Sequence, residues 1–222
     1  MFQIKICGIT RVCDAVAAAD AGADAIGVNF FARSSRYVSP LDALPLVDAV
    51  AGRALTVGVF VNTPAEEIAK IADQLKLDAV QLHGDEPASI LRALPRRRVI
   101  KAFRVGPEGL APLRAWFDDA MRGALYPESV LIDGCRPGEY GGTGQVADWS
   151  AAAAYSRTPN LPPLVLAGGL RPENVAEAIV QVRPTGVDTA GGVETAPGVK
   201  CPALITAFVA AARSGFASIK SR

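Results

Sequence analysis

A cysteine closes the first alternating run of the chain, Ile4-Lys5-Ile6-Cys7, and a glycine follows it. Strand side chains alternate between faces, so Gln3, Lys5 and Cys7 share one face and Ile4 and Ile6 the other, and the thiol is presented where the strand stops. Only the thiolate is strongly reactive, and an unpaired cysteine here reads equally well as a small buried hydrophobe. A carboxylate ends a second such run, Val130-Leu131-Ile132-Asp133. Alternation turns Val130 and Ile132 outward and Leu131 and Asp133 inward, where apolar walls favour the protonated carboxyl that a general acid needs near neutral pH. The competing reading makes Asp133 a cap for the next loop or the partner of Lys101, which is also expected to face inward. Lys101 as a Schiff-base lysine ranks below a structural part in the polar layers of an interior.

Further groups sit at similar positions. Gln81 and His83 face inward at the end of a fourth run, and a lone histidine is more often a structural hydrogen bonder than a catalyst. Arg36 lies in the loop after the second run, where a guanidinium can clamp a carboxylate, and Arg33 is an equal candidate by composition. Two glycine turns, Ala167-Gly168-Gly169-Leu170 and Ala190-Gly191-Gly192-Val193, follow the last two runs. Bare amides at such turns suit a phosphate, although glycine also serves tight turning alone. A loop at Gly141-Gly142-Thr143-Gly144 is long enough to close over a ligand.

These residues come together only if the elements bearing them share one rim. Strands are expected near residues 3 to 7, 24 to 30, 55 to 61, 78 to 82, 98 to 103, 129 to 133, 163 to 167 and 185 to 190, each followed by helix signals. Thr10 is placed to cap a helix from Val12, which Gly22 stops. Ser39-Pro40 and Thr63-Pro64-Ala65-Glu66 read as cap plus first-turn proline, the second with a capping-box glutamate. Arg171-Pro172-Glu173-Asn174 and the segment from Pro197 to Pro202 open the last two helices, and Ala151 to Ala154 makes a helical interior. Eight such units, without a Gly-x-Gly-x-x-Gly fingerprint after the first strand, predict an α/β fold: a single eight-stranded parallel (β/α)8 barrel over residues 1–222. Its C-terminal rim would bring Cys7, His83, Asp133, Gly168 and Ala190 together.

Composition bounds the function. Half of the 222 residues are apolar, enough for a full core, and nothing resembling a linker divides them. A net charge of +1 supplies no field for nucleic acid or an anionic membrane, and Arg96-Arg97-Arg98 reads as the solvated end of a helix. No apolar stretch is expected to reach a membrane span and no leader is read at the N-terminus, so a cytoplasmic protein is expected. The cysteines at 7, 13, 135 and 201 read as reduced thiols. With a single histidine no metal is expected.

Several stretches resemble one family along the whole chain, the phosphoribosylanthranilate isomerases of tryptophan biosynthesis. They are Lys5-Ile6-Cys7-Gly8-Ile9-Thr10, Gly22-Ala23-Asp24-Ala25-Ile26-Gly27, Ser35-Arg36-Tyr37-Val38-Ser39-Pro40, Val57-Gly58-Val59-Phe60-Val61-Asn62, Val80-Gln81-Leu82-His83-Gly84, Gly141-Gly142-Thr143-Gly144, Leu166-Ala167-Gly168-Gly169-Leu170, and Val187-Asp188 with Gly192-Val193-Glu194. The resemblance implies a barrel and a cofactor-free Amadori rearrangement of a small phosphorylated sugar substrate, in a monomer or homodimer. It implies Cys7 as general base, Asp133 as general acid and Arg36 as the clamp on the anthranilate carboxylate. Gly168, Gly169, Ala190, Gly191 and Gly192 would hold phosphate, and Gln81, His83, Gly142 and Asp188 are further possible substrate contacts. The chain departs from the family pattern at Asn29, at Gly134, and at Thr189-Ala190-Gly191, where serines are usual, which leaves phosphate to backbone amides. The alternatives are the related aminoaldose-ketose isomerase of histidine biosynthesis, which resembles an aspartate at the position of Cys7, and a non-catalytic barrel that binds a phosphometabolite.

Overall fold

Each run expected to be a strand is one. They are β1 (Ile4–Cys7), β2 (Ala25–Asn29), β3 (Leu55–Phe60), β4 (Ala79–Leu82), β5 (Val99–Val105), β6 (Ser129–Gly134), β7 (Leu164–Leu166) and β8 (Gly186–Thr189). The computed structural model describes residues 2–94, 97–106, 108–134 and 149–220; Cys135, Arg96, Gly142 and the rest of the Gly141-to-Gly144 loop lie outside these. Consecutive strands pair in parallel and β8 returns to β1, closing the predicted barrel. The helices between them are α1 (Val12–Asp20), α2 (Pro40–Asp48), α3 (Ala65–Gln74), α4 (Ile90–Ala93), α5 (Ala111–Arg122), α6 (Trp149–Ser156), α7 (Val175–Val182) and α8 (Pro202–Lys220).

Two apolar layers follow from the period of the strands. Phe2, Ala25, Val57, Ile100, Ala102, Leu131 and Val165 fill the barrel interior. The alternate residues, among them Ile4, Ile6, Ile26, Val80, Val99, Val130, Ile132 and Val187, pack outward against the helices. Each fully buried aliphatic side chain of this kind contributes roughly 1.5–3 kcal/mol, so the register that keeps Leu131 in and Ile132 out is strongly held, and with it the inward aim of Asp133. Closure places Lys5 level with Ala25 on one side and Asp188 on the other, and Cys7 level with Gly27.

Four expectations are corrected. Lys101 points outward: Ile100 and Ala102 occupy the interior, and the Lys101 ammonium bonds the Glu86 carboxylate at 2.7 Å and the Gly84 carbonyl at 2.7 Å behind the barrel wall. It is therefore neither the partner of Asp133 nor a cleft lysine. Thr10 does not cap α1, since its hydroxyl donates to the Gly198 carbonyl at 2.6 Å. Helix α3 begins after Pro64 with no side-chain cap, whereas Ser39 caps α2 as expected by accepting from the Asp42 amide. Helix α8, at 19 residues, is long and apolar enough by length and composition to cross a membrane, contrary to the reading that no stretch approaches that length. Its apolar face, with Ile205, Phe208, Val209, Ala212 and Phe216 buried, packs against α7 and α1.

An antiparallel hairpin precedes α8, β9 (Glu194–Ala196) with β10 (Val199–Lys200). Pro197-Gly198 turns it, with Gly198 at φ +80°, as a proline-glycine turn requires. The hairpin returns Lys200 to the rim of the barrel.

Candidate active site

One cleft at the C-terminal ends of the strands collects the predicted groups. Cys7, Arg36, Gln81, His83, Asp133 and Asp188 line it, as do both glycine turns from Gly168 to Gly169 and from Ala190 to Gly192. Its cavity volume is about 170 Å³. Of the predicted site residues, Gly142 alone lies outside the described residues.

Cys7 depends on a neighbour without a side chain. A Cβ built on Gly27 would stand 2.7 Å from the Cys7 sulfur and 3.0 Å from Lys5 Cε, so only glycine on β2 leaves the thiol room at this height. Beneath the sulfur the Lys5 ammonium, wholly buried, meets Asp188 Oδ1 at 2.9 Å. Burial pushes the Cys7 thiol up from its ordinary value; Lys5 draws it down, Asp188 pushes it further up, and Lys200 draws it down again, with burial winning. Burial would lower Lys5, but Asp188 and Cys7 overcome it and hold the ammonium above the ordinary lysine value.

Asp133 faces the cleft from β6, three strands removed from β1 around the barrel. Its neighbour is His83, with Nε2 3.4 Å from Asp133 Oδ2, so its surroundings are not the purely apolar wall expected. The other ring nitrogen, Nδ1, lies 2.8 Å from Gln81 Nε2. An amide nitrogen can only donate, which makes Nδ1 the acceptor, while Nε2 is buried without a hydrogen-bond partner. Gln81 Oε1 is buried without a protein partner in the same cleft, where a ligand donor would satisfy it.

The two glycine turns form adjoining walls, since β7 and β8 are neighbours. Gly168 and Gly169 both have positive φ, +84° and +64°, an arrangement side chains rarely adopt. A Cβ on Gly192 would fall 1.9 Å from the Leu170 carbonyl oxygen, so the second turn rests directly on the first. Thr189 adds a hydrogen bond to that carbonyl at 2.7 Å, which spends its hydroxyl on joining the turns. The Arg171 amide is bound by Asn174 Oδ1 at the start of α7, so the amides offered to an anion are those of the turns themselves.

Arg36, not Arg33, reaches the cleft. Its Nε and Nη2 hold Glu194 Oε1 and Oε2 at 2.9 and 2.6 Å, while Arg33 lies over the Phe31 ring. Lys200, also buried, bonds Glu194 Oε1 at 2.7 Å, the Cys7 carbonyl at 2.6 Å and the Ala190 carbonyl at 3.0 Å. Burial alone would raise the Glu194 carboxyl, but its bond to Arg36 and the charge of Lys200 reverse this and hold it below the ordinary carboxylate value. Burial lowers Lys200 despite Glu194. Glu194 and Lys200 were not singled out from sequence, although Pro197-Gly198 is a hairpin signal that would have brought Lys200 back to Glu194. Arg171, a cation lining the cleft beside the glycine turns, was also missed.

A closed parallel β/α barrel that gathers a thiol, a carboxyl and two glycine turns on its C-terminal rim belongs to the class of β/α-barrel enzymes, which carry their active sites at that end. Within that class the chain belongs to the N-(5'-phosphoribosyl)anthranilate isomerase family. The family's sequence model, described as N-(5'phosphoribosyl)anthranilate (PRA) isomerase, matches residues 4–211. An N-(5'-phosphoribosyl)anthranilate isomerase from Pseudomonas aeruginosa is 46% identical over 215 residues, covering 96% of this chain and 95% of that protein. The crystal structure of phosphoribosyl anthranilate isomerase from Thermotoga maritima superposes with TM-score 0.83 at 38% identity, covering 96% of this chain and 99% of the other. A structure of such an isomerase in complex with reduced 1-(o-carboxyphenylamino)-1-deoxyribulose 5-phosphate superposes with TM-score 0.80 at 37% identity and the same coverage.

Proposed function

We propose that this isomerase converts N-(5-phosphoribosyl)anthranilate to 1-(2-carboxyphenylamino)-1-deoxyribulose 5-phosphate in tryptophan biosynthesis, with Cys7 as general base and Asp133 as general acid. The observation that carries this is the meeting in one cleft of a thiol, a carboxyl, a glycine-walled anion niche and an arginine, drawn from both ends of the chain. The phosphate is held by the turns at Gly168-Gly169 and Ala190-Gly191-Gly192, and the anthranilate carboxylate by Arg36, which Glu194 orients.

Asp133 delivers its proton to the ring oxygen of the ribose, the bond from that oxygen to C1 breaks, and a protonated Schiff base remains. The Cys7 thiolate takes the C2 proton, leaving an enolamine. The Cys7 proton then passes to C1 and the C2 hydroxyl proton to Asp133, which gives the ketone and restores both groups. One acid and one base complete the cycle. His83 stands beside Asp133, with Nε2 3.4 Å from Oδ2, close enough to support the carboxylate after it has given up its proton.

The related isomerase of histidine biosynthesis carries an aspartate in place of Cys7 by resemblance, and the thiol at the head of the cleft favours the anthranilate substrate. The test follows the loss of fluorescence of the ribosylated anthranilate. Cys7→Ala and Asp133→Asn are each expected to lower kcat by at least about 10² with the fold intact, while Cys13→Ala and Cys201→Ala leave it nearly unchanged. Near-normal turnover in Cys7→Ala would remove the base assignment, and turnover of the histidine-pathway substrate alone would remove the substrate assignment.

A further inference from the structure

Among the described residues, the apolar interior around the Lys5–Asp188 pair is built from Ala25, Val57, Ile100, Leu131 and Val165. A charged pair in such a place adds little stability, because the cost of removing both ions from water offsets most of their attraction, and well-packed apolar side chains of similar volume commonly serve as well. The pair also lies directly under the thiol. Lys5 and Cys7 are two residues apart on one face of β1, Lys5 Cε and the Cys7 sulfur crowd the same point above Gly27, and the charge of the ammonium draws the thiol down.

We propose that Lys5 is a positioning residue for Cys7: its ammonium, anchored by Asp188, is the internal counter-charge that lets the thiol give up its proton and take one from the substrate. This rests on the reading of Cys7 as the general base. The charged groups facing the sulfur are Lys5 from its own strand, Asp188 from β8, Lys200 from β10 and Arg36 from the loop after β2. Lys200 and Arg36 both hold Glu194, so their charges are engaged above the thiol. Lys5 is the cation beneath it. When the thiolate forms, the ammonium gains a second anion; when the thiol is restored, Asp188 keeps the ammonium charged, so the pair serves both halves of the cycle. The burial that raises the Cys7 thiol is the resistance the Lys5 ammonium works against.

The opposite signs of Lys5 and Asp188 supply a test that a purely structural role would fail. In a protein carrying Cys13→Ala, Cys135→Ala and Cys201→Ala, the rate of alkylation by iodoacetamide across pH reports the thiolate fraction of Cys7. Lys5→Met, which leaves Asp188 facing the sulfur, is expected to move the profile to higher pH and slow the reaction at pH 7 by about tenfold or more. Asp188→Asn, which leaves the ammonium without its carboxylate, is expected to move it to lower pH and quicken the reaction by about tenfold. In turnover, Lys5→Met should lower kcat with KM little changed. Profiles that move in the same direction, or do not move, overturn the proposal. Should Lys5→Met fail to fold, the acid shift of Asp188→Asn decides alone. Alkylation is read without substrate, so a failure of this proposal is distinct from a failure of the base reading, which appears as retained turnover in Cys7→Ala.

Discussion

Gly27→Ala tests whether the height and aim of the thiol matter. Gly27 lies in β2 outside the left-handed region, so its backbone accepts alanine without strain and the whole effect comes from one added carbon. That carbon would stand 2.7 Å from the Cys7 sulfur, 3.0 Å from Lys5 Cε and 3.2 Å from Cys7 Cα. Ordinary contacts between such atoms lie at about 3.5–4.0 Å, so the sulfur must retreat by about 1 Å. Retreat toward the barrel axis is blocked by Lys5, so the sulfur moves up into the cleft or sideways along the strand end. A displacement of about 1 Å at a reacting group costs on the order of 10² in rate, whereas overpacking of this size costs roughly 1–3 kcal/mol of stability. The expected result is a kcat lowered about a hundredfold in the fluorescence assay, with a cooperative thermal transition only moderately lowered. Turnover within about threefold of the parent would show that the thiol tolerates displacement, and would refute the view that Gly27 is kept bare for its sake.

Two further predictions concern binding. Arg36→Ala should raise KM by roughly thirtyfold, the equivalent of about 2 kcal/mol for a lost charge-assisted pair, with kcat less affected; Lys200 still neutralises Glu194 in that variant, so the loss reports the clamp. Arg33→Ala, remote on Phe31, should bind normally, and the reverse pattern would mean that the other arginine is the clamp. Gly192→Ala forces the β8 turn away from the Leu170 carbonyl and should weaken competitive inhibition by inorganic phosphate at least tenfold, which unchanged inhibition would contradict.

Much of this arrangement was legible because a parallel barrel converts sequence order into position. Once eight strands were marked, Cys7, Asp133 and the two glycine turns had to share a rim, whatever their separation along the chain. Phase was legible only where the two faces differ in kind. Val130-Leu131-Ile132-Asp133 ends in a charge that fixes its inward face, whereas Val99-Ile100-Lys101-Ala102-Phe103 is apolar on both faces and gives alternation no anchor, so Lys101 was set inward. Size held the answer: the interior admits Ala102 and Ile100, while Phe103 needs the space beside Trp116 and Phe117, and Lys101 follows Phe103 outward to Glu86. The cap expected at Thr10 failed for a different reason, since its hydroxyl is taken by Gly198, 188 residues away, and no local rule reports such a competitor.

The least legible feature is also the one that joins the parts. Lys200 is a single buried cation whose three bonds run to the Cys7 carbonyl, the Ala190 carbonyl and Glu194, the residue that aims Arg36. Cys7, the turn at Ala190 and, through Glu194, Arg36 are thereby spaced by one side chain on a short hairpin, not by three independent loops. In the proposed assignment, a substrate carrying a phosphate at one end and a carboxylate at the other is measured against that spacing, and its reacting carbons fall between them only if its length is right. Glu194 is what makes this arrangement stable before the substrate arrives. It keeps Lys200 and Arg36 from repelling one another across the cleft and holds the guanidinium ready, so that little ordering is left for the binding step to supply.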